Sequence, residues 1–189
     1  MERGSSPDTD SLGAELDEWM ASIPGTVDVQ AEAARQRVGR LARQFERVLA
    51  TVAANQDISV GDLEALSTLA RSTDSKTGLT PTRMAAVLGV SSGTISVRMH
   101  RLDQARLVDI TSGTDGRQRL ARLTRAGRLA WGRATRDRTR IERRLINDAL
   151  SSDELDQLNT LLSRLLARME QEYGPAPRHD MTRGRRPRI

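Results

Sequence analysis

Apolar residues recur every three or four positions along most of the chain, and this spacing predicts a mainly helical protein. The first predicted helix carries four of them, namely Leu12, Leu16, Trp19 and Met20. Pro24 and Gly25 end this helix. A second run, from about 28 to 54, contains no proline and predicts a long amphipathic helix. Its apolar stripe consists of Val38, Leu41, Phe45, Val48, Leu49 and Val52.

Two helices with recognisable start signals follow. Ser59 and Asp62 resemble a capping box, with Asp in place of the usual Glu. The helix that they begin is expected to bury Leu63, Leu66 and Leu69. Thr80 is placed to cap a two-turn helix, and Pro81 lies in its first turn, where the missing N–H costs nothing. The side chains of this helix that are expected to point inward are Met84, Val87 and Leu88.

The next stretch has the pattern of a helix-turn-helix. Gly89 supplies a sharp turn, Val90 fills the angle between the helices, and Ser91 caps a longer helix that runs to about Arg106. The apolar face of that helix consists of Ile95, Met99 and Leu102. A short helix, a turn with glycine and a longer helix with a small polar first turn are typical of the motif.

A β-hairpin and two long helices complete the chain. The runs L-V-D-I-T and R-L-A-R-L-T flank the turn S-G-T-D-G-R-Q and predict a wing, although the second run is a poor strand. Thr124 is the expected cap of a helix over about 125–149. A capping box at Ser151 begins a final helix that Gly174 ends. The apolar repeat of that helix is Leu155, Leu158, Leu162, Leu165 and Met169.

These elements predict a mainly α fold with a small β-wing, in which a winged helix-turn-helix lobe accompanies a helical dimerisation domain. The expected organisation has five parts. They are a disordered N-terminus (1–11), N-terminal dimerisation and linking helices (12–57), the winged helix-turn-helix domain (58–127), C-terminal dimerisation helices (128–173) and an Arg-rich disordered tail (174–189). Two interpretations of the leucine stripes stay open, since the stripes either pair across a two-fold axis or pack within one chain.

The distribution of charge indicates a polyanionic partner. The chain carries a net charge of +5. Residues 91–144 alone carry +9, whereas residues 1–65 carry −6 and residues 145–173 carry −4. A basic block between acidic blocks favours a surface that binds double-stranded DNA. The basic tail either adds attraction for phosphates or is a solubilising end.

The outer face of the longer helix supplies the candidate DNA-binding residues. Val97 is an apolar residue among polar ones and could pack on a thymine methyl group, while Arg101 could reach guanine N7 and O6. The candidate residues on this helix are Ser92, Gly93, Thr94, Ser96, Val97, Arg98 and Arg101. In the wing, Arg117 could enter the minor groove, supported by Asp115. A plain surface helix and a solvated turn are the respective alternatives.

Several function classes find no support in the sequence. G-V-S-S-G matches the nucleophile elbow of hydrolases, but a helix and not a strand precedes it. With no cysteine and two histidines, a metal site is not expected, and no phosphate loop or dinucleotide motif indicates a cofactor. No apolar run is long enough to span a membrane, so a cytoplasmic protein is expected, and DNA binding would make it nucleoid-associated. The lack of catalytic motifs predicts that the protein is not an enzyme.

Residues 58–127 resemble the MarR (multiple-antibiotic-resistance regulator) family of transcriptional regulators. The stretches that carry the resemblance are L-T-P-T-R-M-A, V-S-S-G-T-I-S, R-L-D-Q-A-R-L-V, D-G-R and L-T-R-A-G. The resemblance continues more weakly over about 12–173. It implies an obligate dimer, repression of nearby genes and release by a small-molecule ligand. By position, it places Thr94, Val97, Arg98 and Arg101 on the recognition helix and Arg117 on the wing.

The sequence departs from the family pattern at two places that affect structure. Arg106 stands where the family commonly has glycine after the recognition helix, so that helix is expected to end differently. The wing has D-G-R in place of D-R-R, which removes one candidate phosphate contact. The alternative to a sequence-specific regulator is a winged-helix module that binds DNA without sequence preference or binds another protein.

Overall fold

The computed structural model describes residues 10–13, 15–72, 78–112 and 119–175. The helices in chain order are α1 (Leu16–Ser22), α2 (Val29–Ala54), α3 (Val60–Arg71), α4 (Pro81–Leu88), α5 (Ser92–Gln104), α6 (Arg125–Ala149) and α7 (Ser152–Tyr173). The strands β1 (Val108–Ser112) and β2 (Arg119–Leu123) lie between α5 and α6 and pair antiparallel. The predicted fold class, mainly helical with a small β-wing, is confirmed.

The chain divides into two compact units, residues 1–48 and 49–189, with the boundary inside α2. In the first unit, polar contacts connect residues 10–15 to α2. Arg37 pairs with Asp10 at 2.7 Å, and Arg40 pairs with Glu15 at 2.6 Å. These ion pairs connect residues 10–15 to α2 within the first unit.

The core of the second unit lies between the helix-turn-helix and the strands. Leu66 of α3, Met84 of α4 and Ile95 of α5 are each fully buried and belong to one apolar cluster. The cluster also contains Leu69, Leu79, Leu88, Met99, Leu102, Val108 and Leu123. The core is therefore aliphatic, with the half-buried Trp131 packed against its edge.

The start and turn signals of the helix-turn-helix are confirmed. The Thr80 hydroxyl accepts a hydrogen bond from the N–H of Arg83, and Pro81 begins α4. Gly89 adopts the left-handed conformation that a sharp turn requires, with φ of 64°. The Ser91 hydroxyl then accepts from the N–H of Thr94 and caps α5.

The inward position expected for Val87 is wrong, since its side chain is 54% exposed. The buried face of α4 consists of Met84, Ala85 and Leu88. At about 100° per residue, Val87 lies roughly 100° around the helix from the middle of that face. An eight-residue helix has one narrow buried face, and Val87 falls outside it.

The wing has a third contributor that explains its second strand. Ala121 of β2 is opposite Ile110 of β1 on one side and forms a bridge to Leu79 on the other. The Leu79 N–H donates to the Ala121 carbonyl at 3.0 Å, and the Ala121 N–H donates to the Leu79 carbonyl at 2.8 Å. Pairing on both edges stabilises a segment whose own strand preference is low.

The junction between α5 and α6 depends on two residues of the L-T-R-A-G motif. The Thr124 side chain accepts from the N–H of Gly127, which caps α6, and donates to the carbonyl of Arg106 at 2.8 Å. A Cβ atom at Gly127 would overlap the carbonyl oxygen of Leu107. Glycine at 127 therefore allows α6 to begin in direct contact with the chain that leaves α5.

The expectation that the absence of glycine at 106 changes the end of α5 is wrong. Arg106 itself adopts the left-handed conformation, with φ of 57°. The N–H of Arg106 donates to Asp103, and the N–H of Leu107 donates to the carbonyl of Leu102 at 2.9 Å. This is the usual left-handed helix termination, retained at a conformational cost.

None of the described helices combines the length and the apolar character that crossing a membrane requires.

We expect Arg106→Gly to raise the free energy of unfolding by about 0.5–1 kcal/mol. Relief of the left-handed strain, about 1–2 kcal/mol, outweighs the greater freedom of glycine in the unfolded chain. Urea denaturation measures the change. Arg106→Ala is the matched control, because it removes the same side chain but keeps a Cβ in the left-handed conformation. Equal stability of the two variants would contradict the explanation.

Candidate nucleic-acid interface

The outer face of α5 is presented by a firmly held helix. Ile95, Met99 and Leu102 are each 2% exposed or less and fix α5 to the core. Val97, on the opposite side, is 64% exposed. This degree of exposure for a branched apolar side chain is what the sequence pattern predicted, and burial on the inner face prevents the helix from rotating to hide it.

The first turn of α5 is small, polar and accessible. Ser92, Gly93, Thr94 and Ser96 are all exposed. Hydroxyl groups at this end are tied to the helix itself, since Thr94 and Ser91 share a hydrogen bond of 2.9 Å and Ser96 donates to the Ser92 carbonyl. The Cβ position of Gly93 has only the Ser91 hydroxyl nearby, at 3.9 Å. Another molecule could therefore approach the backbone closely here.

Arg101 is anchored to the start of α3. Its Nε and Nη2 atoms donate to the two carboxylate oxygens of Asp62 at 2.9 and 2.6 Å, and Nη2 also donates to the Ser59 hydroxyl at 3.2 Å. The side chain of Asp62 is 3% exposed and that of Arg101 is 53% exposed. The hydrogen bond with Asp62 raises the pKa of the Arg101 guanidinium above its ordinary value.

Asp62 therefore has two structural roles. Its carboxylate accepts from the N–H and the hydroxyl of Ser59, which completes the capping box of α3. The same carboxylate holds Arg101 of α5. A buried carboxylate is costly unless it is hydrogen-bonded and paired, and both conditions are met here.

Arg98 is also directed toward α3, and it is more buried than Arg101. Its Nη1 atom donates to the Gly61 carbonyl at 3.3 Å and lies 3.6 Å from Oε2 of Glu64. The side chains of Arg98 and Glu64 are each less than one-fifth exposed. Burial raises the pKa of the Glu64 carboxyl, and the charge of Arg98 opposes this shift. Arg98 thus fixes the flank of α5 and has little exposed surface of its own.

All seven predicted site residues of α5 are described: six are exposed, and Arg98 is turned toward Gly61 and Glu64 of α3. The wing residues Asp115 and Arg117 lie outside the described residues. Sequence reasoning missed Asp62 and Glu64 as partners of this face. The available signal was a pair of acidic residues on either side of Leu63, which is expected in the core, because a carboxylate buried there without a partner would be expensive.

A cavity of about 480 Å³ lies at the base of the wing. Leu69, Ala70 and Leu123 provide its apolar surface, and Trp131 contributes an aromatic ring. Asp109, Arg122 and Arg128 provide charged groups. Nη1 of Arg128 donates to the Leu123 carbonyl at 2.8 Å, so its guanidinium is held at this position.

No family model and no curated protein sequence matches the chain. Solved structures do match it. YusO from Bacillus subtilis shares 18% identity over 75% of this chain and 97% of its own, with a TM-score of 0.63. The apo form of MarR from E. coli shares 19% identity over 75% of this chain and 98% of its own, with a TM-score of 0.59. A mutant of S. aureus MepR bound to an oligodeoxyribonucleotide shares 19% identity over 72% of this chain and 97% of its own, with a TM-score of 0.57.

The protein thus has a winged-helix fold with long flanking helices. At 18–19% identity the likeness is one of fold, and the fold is the one seen in YusO, MarR and MepR. The resemblance found in the sequence is confirmed at this level.

A double-mutant cycle with Asp62→Ala and Arg101→Ala should give a coupling energy of about 1–2 kcal/mol in the free energy of unfolding. The estimate is at the lower end for charge-assisted hydrogen bonds because the arginine is half exposed. Chemical denaturation of the four proteins measures it. Asp103→Ala, an exposed acid on the same helix, replaces Asp62→Ala in the control cycle. Coupling no larger than in the control cycle would mean that Asp62 serves only the capping box.

Proposed function

We propose that the protein is a sequence-specific, DNA-binding transcriptional repressor, which binds a palindromic operator as a homodimer and is released by a small-molecule ligand. The observation that carries the proposal is the outer face of α5. It combines an exposed valine, a small polar first turn and an arginine held in position. A major groove offers a partner for each of these groups, namely thymine methyls, phosphates and guanine edges.

The contact between Arg101 and Asp62 is compatible with base recognition. A guanidinium has five N–H donors. Nε and Nη2 are engaged by Asp62 and Ser59, whereas Nη1 has no hydrogen-bond acceptor among the described residues. Because the side chain is anchored in advance, less rotamer entropy is lost when Nη1 meets a base. The Asp62 carboxylate thus acts as a positioning group for the proposed reading residue.

The proposal of a homodimer is supported by unpartnered apolar stripes. No residue of α7 is buried. Five apolar side chains in the interior of the helix, away from its C-terminal Tyr173, are more than 40% exposed. They are Leu161, Leu162, Leu165, Leu166 and Met169. In α2, Val38, Leu41 and Phe45 are exposed as well. Exposed apolar area on this scale is typical of a protein–protein interface. A two-fold pairing would set two recognition helices about one DNA turn apart.

Release by a ligand is supported by the cavity at the wing base. Its volume of about 480 Å³ falls within the usual range for small-molecule sites. Apolar walls, an indole ring, two guanidinium groups and the Asp109 carboxylate suit a compact aromatic or otherwise apolar molecule with a polar group. Since the cavity touches α3, the wing and α6 together, occupancy could change how the wing is held.

The first experiment measures binding to a labelled fragment of DNA from upstream of the protein's own gene. Fluorescence anisotropy at two salt concentrations, with random-sequence competitor, should give a nanomolar Kd that survives competition and weakens steeply with salt. We expect Arg101→Ala to cost about 1–3 kcal/mol of binding free energy and to relax specificity at one base position.

Arg106→Ala is the control for this variant, since it removes a nearby arginine from beyond the end of α5. Selective binding that survives Arg101→Ala and Arg117→Ala together would show that the reading surface lies elsewhere. Binding that random DNA abolishes would favour a non-specific architectural protein, and no DNA binding at low salt would favour a protein-binding module.

Leu162→Glu should shift the protein toward monomer by at least tenfold in the dimer dissociation constant. A carboxylate placed in an apolar interface has to be desolvated without a partner. Sedimentation velocity over a concentration series measures the change. Gln157→Glu adds the same charge on the polar side of α7 and is the control. If both variants have the dimer constant of the parent protein, α7 does not form the interface.

A further inference from the structure

A row of arginines follows the outer side of α6, and the proposed base-reading surface does not use it. These residues, named here the arginine stripe, are Arg125, Arg133, Arg136, Arg140, Arg143 and Arg144. All six are exposed. At about 100° per residue they fall within an arc of roughly 100°, and no acidic residue of α6 lies inside it. The row extends for roughly 28 Å along the helix axis, at 1.5 Å per residue.

The stripe lies on the side of α6 that does not touch the core. The buried residues of the helix, Gly127 and Ala134, are about 140–160° around the helix from the middle of the stripe. Among the six arginines of the stripe, only Arg140 has an ion-pair partner within the described residues, namely Asp137 at 3.2 Å. The stripe is thus an accessible cationic surface. It is densest between Arg133 and Arg144, and the exposed Leu129 lies between Arg125 and Arg133.

Such an arrangement has a cost for the isolated helix. Four pairs of arginines in the stripe are three or four residues apart, namely 133/136, 136/140, 140/143 and 140/144. Like charges at these spacings destabilise a helix by about 0.2–0.5 kcal/mol per pair. The repulsion disappears when an extended polyanion neutralises the row.

We propose that the arginine stripe is a second, sequence-independent contact surface for the phosphates of duplex DNA that flanks the bases read by α5. The inference rests on the proposed DNA binding, but not on its sequence specificity. Arg125 begins α6 two residues after the end of β2, so the stripe starts at the wing and continues the basic block away from it. Duplex DNA carries one charge per about 1.7 Å of its axis, enough to meet every arginine of the row.

Acidic segments of the chain fit the stripe less well. Asp10 and Glu15 of the first unit are already paired with arginines of α2. The acids of α7 are divided between its two ends, with Arg164 and Arg168 between them. Neither presents a continuous row of carboxylates that matches roughly 28 Å of cationic helix. Charge complementarity along the stripe therefore favours the phosphate backbone over these acidic segments of a second copy.

The test uses random-sequence DNA duplexes of two lengths. A duplex of about 20 bp spans two half-sites, and a duplex of about 40 bp adds flanking DNA. Arg136→Gln with Arg143→Gln is compared with the charge-matched control Arg43→Gln with Arg164→Gln. Both control residues are exposed and lie opposite the apolar stripes of their helices. Glutamine is a good helix former, so folding should be retained, and thermal melting verifies this.

We expect the stripe variant to bind the longer duplex about tenfold more weakly than the parent protein, and the control less than twofold. Each lost phosphate contact lowers the slope of log K against log salt by about 0.9, or up to about 3.6 for two contacts in each protomer of a dimer. On the shorter duplex the variant should bind within twofold of the parent protein. Arg136→Lys with Arg143→Lys should restore most of the affinity, because it restores the charge.

A stripe variant that behaves like the control on both duplexes would overturn the proposal and leave DNA binding itself intact. A change of oligomeric state with unaltered DNA binding would also overturn it, and would assign the stripe to an interface between copies. Failure of the parent protein to bind either duplex at low salt would instead reject the proposed function.

Discussion

The Asp62 carboxylate is the interaction on which the geometry of the candidate interface depends. It is buried at the start of α3, where it completes the capping box with Ser59, and it grips Arg101 on α5. One charge thus sets both where α3 begins and how α5 is oriented against it. Because leaving a buried carboxylate unpaired is expensive, α3 and α5 have one preferred relative arrangement. The orientation of the exposed side of α5 is fixed by the same contact.

A second constraint, at the other end of α5, works through backbone contact and not through charge. Thr124 caps α6 and bonds the carbonyl of Arg106, while Gly127 allows α6 to begin directly against Leu107. The wing strands lie between these two points in the sequence. Hence the end of α5, the base of the wing and the start of α6 form one packed junction, and the arginine stripe begins from a fixed position.

The local signals in the sequence predicted the elements well, because caps, turns and helical periodicity act within a few residues. Thr80, Gly89, Ser91, Thr124 and Ser151 all behave as their residue types indicate. What escaped prediction acts over long distances or against local preference. The bond between Asp62 and Arg101 spans 39 residues, the pairing of Ala121 depends on Leu79, and the left-handed Arg106 retains a geometry that local preference disfavours.

The distribution of apolar surface explains why this chain is expected to act as an assembly. Its core is aliphatic and compact around the helix-turn-helix, whereas no residue of α7 is fully buried within one chain. These leucines are about half exposed and gain only part of the hydrophobic free energy of burial, so a partner that covered the stripe would stabilise the 22-residue helix further. If pairing of α7 and pairing of recognition helices share one two-fold axis, DNA binding and dimerisation become thermodynamically linked. Each then stabilises the other by the same free energy.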